Sequence, residues 1–189
     1  MRTHTKFLIA PATAAVLVLA LAACGDDDGD TDGRQSTGDP SSVTDTATDA
    51  STEAGAVDSA LAAISAAEEA TGGTAYEISE EDGGWEIDVA VGDRSHEVRL
   101  GADGAVISSD DDGNLDRDDR EGLAAARISI VDAIEAAVGT EPAGRLDDVS
   151  LERERNGHVW EVTFDDGNVD NEIHVDVVTG EVVRTGVDD

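Results

Sequence analysis

Positive charge is scarce in this chain, with 12 Lys and Arg against 44 Asp and Glu and a formal charge of -32 over 189 residues. A body this anionic repels phosphate backbones and anionic lipid heads, which sets nucleic-acid binding and polybasic membrane docking aside. Cysteine occurs once, so neither a disulfide framework nor a four-cysteine metal centre can be built. Aromatic residues are only 3% of the chain, which makes its two tryptophans landmarks. Catalytic signatures are missing too: there is no HExxH, GxSxG, GxxxxGK or Cys-His pairing. Paired carboxylates carry no information, because 44 acids place some pair at any chosen distance. Outside the N-terminal segment the histidines are His96, His158 and His174, which read as surface residues near a sheet. The chain is expected to bind and not to catalyse.

Arg2 and Lys6 precede an apolar run from Phe7 to Ala23, the arrangement of an export signal spanning 1–23. At 17 residues the run falls short of the roughly 20 apolar residues of a spanning helix, and the acids that follow it are the wrong flank for a stop-transfer segment. It ends in Leu21-Ala22-Ala23-Cys24, which resembles the lipobox of bacterial lipoproteins. That resemblance implies that Cys24 carries a diacylglyceryl group and holds the protein on the extracytoplasmic face of the cell membrane. Two acyl chains give the double anchor that stable attachment requires, where a single chain is marginal. Residues 24–54 are rich in Asp, Thr, Ser and Gly, with nine acids against Arg34, and are expected to be a disordered spacer. Thirty such residues span about 30 Å.

Beyond the spacer the chain repeats itself. Gly84-Trp85-Glu86-Ile87-Asp88-Val89 aligns with Val159-Trp160-Glu161-Val162-Thr163-Phe164 at an offset of 75, and each tryptophan opens a period-2 apolar row. The same offset puts Val98 and Leu100 on Ile173 and Val175. With one residue inserted, Gly104-Ala105-Val106 falls on Gly180-Glu181-Val182. Upstream, Val57, Ala60, Leu61 and Ile64 form a helical stripe that stops at Gly72-Gly73. Ile130, Ala133, Ile134, Ala137 and Val138 form another that stops at Gly139, and Ser129 with Asp132 has capping-box spacing. Turn signals at 81–84, 92–94, 103–104, 156–157, 165–168 and 179–180 predict antiparallel hairpins. The expected fold class is α+β, as two tandem small domains at 55–109 and 123–189. Each is one helix on a three- or four-stranded antiparallel sheet, and an acidic linker, 110–122, joins them.

The second copy resembles the PepSY family. The resemblance rests on Ile128-Ser129-Ile130-Val131-Asp132-Ala133-Ile134 as helix start, on Trp160-Glu161-Val162-Thr163-Phe164, and on Ile173-His174-Val175-Asp176-Val177-Val178-Thr179-Gly180-Glu181-Val182 as closing hairpin. The first copy departs from the pattern, with Arg99-Leu100-Gly101-Ala102-Asp103-Gly104 at the closing hairpin, and joins the family through the repeat alignment. The resemblance implies a propeptide-like module that modulates a secreted or envelope peptidase, and it supplies no catalytic residues.

Two candidate sites follow from the residues. Trp85 and Trp160 could present an aromatic contact surface to a partner, although heading an apolar strand row is also what a core tryptophan does. Ser108, Asp110, Asp112, Gly113, Leu115, Asp116 and Asp119 have the spacing of an EF-hand-like loop, which makes Asp110, Asp112, Asp116 and Asp119 candidate calcium ligands. Ser stands at its first position and Asp in place of the bidentate Glu at its last, and the alternative is a plain solvated linker.

Overall fold

Residues 46–188 are described by the computed structural model, with side chains from 55 to 187. The export signal, Cys24 and the spacer up to residue 45 lie outside the described residues. The first helix, α1 (Thr46–Thr71), is followed by β1 (Thr74–Glu81), β2 (Gly84–Val91), β3 (Arg94–Leu100) and β4 (Val106–Asn114). Two short helices, α2 (Arg117–Ala125) and α3 (Ile130–Val138), lead into β5 (Arg145–Glu154), β6 (Gly157–Asp165), β7 (Asp170–Asp176) and β8 (Val182–Asp188). The element order is thus a helix and four strands, then α2, then a helix and four strands, in keeping with the two copies read from the sequence. All six turn signals fall between strands. At the first, Asp82 and Gly83 both have positive φ, 50° and 76°, the twist that a two-residue hairpin requires and that Asp-Gly adopts readily.

The two copies do not form two small domains. Their strands join in one eight-stranded antiparallel sheet in the order β4-β3-β2-β1-β5-β6-β7-β8. The seam is β1 against β5, where Ile78 faces Val149 and Ser79 faces Asp148, and Arg145 pairs with Glu80 across it. Merging the sheets is the physical answer to a thin core, because a unit of under 60 residues buries too little surface alone. The copies keep matching irregularities. β3 against β4 has a bulge that leaves Ile107 unpaired, and β7 against β8 has one that leaves Val183 unpaired, at the offset of one extra residue found in the sequence.

One face of the sheet carries the helices. Ile78, Ile87, Val89, Val98, Val149, Trp160, Val162, Phe164, Ile173 and Val175 point into that layer. They meet Ala60, Ala63, Ile64 and Ala67 of α1 and Ile130, Ala133, Ile134 and Ala137 of α3. Each fully buried large side chain contributes about 1.5–3 kcal/mol. α3 starts at N-cap Ser129 with both arms of the predicted capping box formed and ends at C-cap Gly139. Two boundaries differ from expectation. α1 begins at Thr46, inside the expected spacer, because residues 46–54 contain no Gly or Pro to stop a helix propagating back from its packed end. The expected linker 110–122 is the end of β4 and much of α2. Asp116 caps α2 by accepting from the backbone N–H groups of Asp118 and Asp119, and acids in the first turn suit the positive end of a helix.

Candidate functional site

The face opposite the helices is polar, and most of its side chains are half-buried or exposed, with Ser95 and His174 buried. Alternation along each strand puts Glu77, Glu86, Asp88, Glu97, Arg99, Asp148, Glu161, Glu172 and His174 on it, since these alternate with the buried residues just named. The register aligns four carboxylates across four neighbouring strands: Glu77 faces Asp88, Asp88 faces Glu97, and Glu97 faces Asp110. Like charges directly opposite each other on a sheet repel. Burial, reinforced by Glu77, Asp112, Glu97 and Glu86, pushes the Asp88 carboxyl up to about 7. Burial also raises Glu77, with Asp148 the largest contributing charge. Beyond the seam Asp148 is pushed up to about 6 by burial and by Asp147 and Glu161. An acid row held at this cost is the most distinctive feature of the surface.

The same face carries two equivalent clusters, one at the row on β2 and β3 and the other past the seam on β6 and β7. In the first copy Arg99 sits opposite Glu86, with its Nε 2.8 Å from Glu86 Oε2 and 2.9 Å from Glu97 Oε1. In the second, His174 sits opposite Glu161, with its Nε2 3.2 Å from Glu161 Oε2 and 3.9 Å from Glu172 Oε2. Glu86, Glu97 and Arg99 map onto Glu161, Glu172 and His174 at the same offset of 75 that aligns the tryptophans. The cluster is thus repeated, with a guanidinium in one copy and an imidazole in the other. Arg184 of β8 reaches the second cluster, its Nη2 2.5 Å from His174 Nε2. Reading His174 as a surface residue misses this pairing, whose signal in the sequence is a histidine aligned with Arg99 at the offset of 75, with two glutamates aligned beside it.

The predicted site residues fare differently. Trp85 and Trp160 are 5% and 1% exposed and belong to the core, so neither is a contact surface. Trp85 Nε1 donates to Ser59 Oγ at 3.0 Å, which ties β2 to α1. Trp160 Nε1 is buried with no hydrogen-bond partner among the described residues. The calcium candidates are not brought together as a loop. Asp110 and Asp112 lie on β4, an extended strand that cannot wrap an ion, and Asp116 and Asp119 lie at the start of α2. Asp110 instead completes the acid row, and burial beside Asp116 pushes Asp119 up to about 6. His174 is not a surface residue: it is 2% exposed. Among the described residues no helix is long and apolar enough to cross a membrane.

Residues 127–185 match the family described as Peptidase propeptide and YPEB domain, PepSY. The match covers α3, β5, β6, β7 and the first half of β8, while the first copy lies outside it, so the expected pair of PepSY domains is supported for the second copy alone. No curated protein matches the chain. Among solved structures, a candidate lipoprotein of Clostridium difficile 630 is similar over 64% of this chain and 86% of its own, at 17% identity and a TM-score of 0.40. A BLIP-like protein of Bacteroides fragilis NCTC 9343 is similar over 67% of this chain and 84% of its own, at 14% identity and a TM-score of 0.25.

Proposed function

We propose that the chain is a non-enzymatic, membrane-anchored binding module that modulates a secreted or envelope peptidase, or another envelope protein, from the extracytoplasmic face. The PepSY match over 127–185 supports the peptidase-related part. The observation that carries the binding part is the row Glu77, Asp88, Glu97 and Asp110 on the sheet face opposite the helices. A fold gains nothing from four facing carboxylates, so the row is read as a surface for a partner's basic patch, where complementary charge steers encounter and fixes register. Cys24 supplies the anchor and the acidic segment after it the tether.

The test immobilises the full chain, kept in mild detergent because of its apolar residues 7–23, and offers it the exported protein fraction at physiological ionic strength. Two controls run beside it: poly-glutamate, and the variant Glu77→Gln, Asp88→Asn, Glu97→Gln, Asp110→Asn. Retention of one peptidase or envelope protein by the chain, absent from both controls, supports the reading, and the retained enzyme's turnover of a peptide substrate should change when the chain is added. Equal retention on poly-glutamate, released by moderate salt, overturns it. Anchoring is read separately, as incorporation of labelled palmitate that disappears in Cys24→Ser.

A further inference from the structure

The second cluster holds an imbalance that the first does not. In the first copy Arg99 places a fixed positive charge between Glu86 and Glu97, within 2.9 Å of both. In the second the strand position between Glu161 and Glu172 carries an imidazole, and Glu154 Oε1 adds a third carboxylate 3.1 Å from His174 Nδ1. Among the described residues the guanidinium there is Arg184, which comes from the edge strand, is 56% exposed, and stands 3.9 Å from Glu172. The His174 side chain is 3% exposed, and its buried Nδ1 makes no hydrogen bond. Because Arg184 can only donate, Nε2 is the acceptor and carries the imidazole lone pair, which Arg184 holds and which a metal could take only by displacing that guanidinium.

One nitrogen and two carboxylate oxygens, all within 4.8 Å of one another, are a ligand set for a divalent cation. Imidazole with carboxylates suits a transition metal of the zinc class better than calcium or magnesium, which take oxygen alone. A metal-bound imidazole usually turns its other nitrogen to a carboxylate, and Glu154 lies at that nitrogen. We propose that Glu161, Glu172 and His174 form a binding site for a zinc-class divalent cation, with Glu154, 3.1 Å from Nδ1, as the carboxylate the ring turns to when the metal binds and Arg184 as the internal cation the metal displaces. The first copy cannot bind in this way, because Arg99 has no lone pair to give. The proposal rests on the cluster and is independent of the partner reading.

The experiment titrates the full chain, in mild detergent, with zinc chloride by isothermal calorimetry in a non-chelating buffer at pH 7.5 and 0.15 M NaCl. Excess magnesium is present throughout to occupy diffuse acidic sites. One saturable site per chain is expected. It should weaken at least tenfold in His174→Gln and severalfold in Glu161→Gln or Glu172→Gln. It should tighten in Arg184→Gln, which removes the competing cation. Far-UV circular dichroism confirms that each variant is folded, and the two glutamate variants, on partly exposed side chains, keep the test open if His174→Gln is not. The proposal is overturned if zinc is displaced by magnesium, or if affinity is the same in the glutamate variants and in Arg184→Gln.

Discussion

Asp88 lies between Glu77 and Glu97 on neighbouring strands, and its charge works against the fold. Asp88→Asn should therefore raise Tm at pH 8 by a few degrees, with the gain shrinking towards pH 5 as the native carboxyl takes up a proton. Thermal melts at the two pH values measure this, and a lower Tm for the variant at pH 8 would show that the row is not repulsive. The tryptophans make a second contrast at this scale. Trp160→Ala should cost about 3–5 kcal/mol, as for any large buried ring. Trp85→Phe should cost about 0.5–1 kcal/mol beyond its volume change, the net value of one hydrogen bond to an exposed Ser59 that water can replace, whereas Trp160→Phe removes an N–H with no partner among the described residues. Urea titrations of the two Phe variants read the difference. The burial of the tryptophans was legible, since each heads an apolar row. The burial of His174 was not: its strand position points away from the core, and it is enclosed by side chains from β5, β6, β7 and β8, which no local pattern reveals.

At the scale of elements, α3 was the most legible, because a capping box and an apolar stripe are both local. Ser129→Ala should cost about 1 kcal/mol by removing the side-chain acceptor for the N–H of Asp132, measured as a shift in the urea midpoint. α2 was hidden in an acidic stretch because it buries almost no side chain: its one buried residue is Gly122. A Cβ there would come within 2.6 Å of Leu151 Cδ2 and 3.1 Å of His158 Cδ2. Gly122→Ala should thus destabilise by about 1–3 kcal/mol from overpacking, although alanine is the better helix former. An unchanged or raised stability would mean that α2 shifts freely over β5. β1 and β5 were not read as separate rows either, and they are the two strands that meet at the seam. Each carries a register shift, at Ala75/Glu77 and at Leu146/Asp148, that breaks its alternation where a period-2 pattern would be sought.

For the whole molecule, the repeat was legible but its merger into one sheet was not, since the seam needs only two facing pairs that look like ordinary strand residues. The merger predicts one cooperative unfolding transition, with calorimetric and van't Hoff enthalpies in agreement, where two independent domains would give two. The pH dependence follows from Asp88, Asp119 and Asp148, whose carboxyls are pushed up to about 7, 6 and 6. A carboxyl raised in the folded state gives stability that is fully present below the unfolded value near 4 and lost as pH climbs through the folded one. Tm should accordingly rise as pH falls from 8 to 5. Below about 4 the trend should reverse as Asp111, Asp132, Asp166 and Asp176, all held low by hydrogen bonds to their charged forms, take up protons. The two ends of the sheet differ in one further way. β4 opens with Val106 and Ile107, 43% and 73% exposed, and continues into Asp110, Asp111 and Asp112, while β8 carries Val182, Val183 and Val187, 36%, 55% and 62% exposed, without such an acid run. An acidic strand would therefore be repelled along the second half of β4 and not along β8, which leaves β8 as the more permissive edge for backbone pairing.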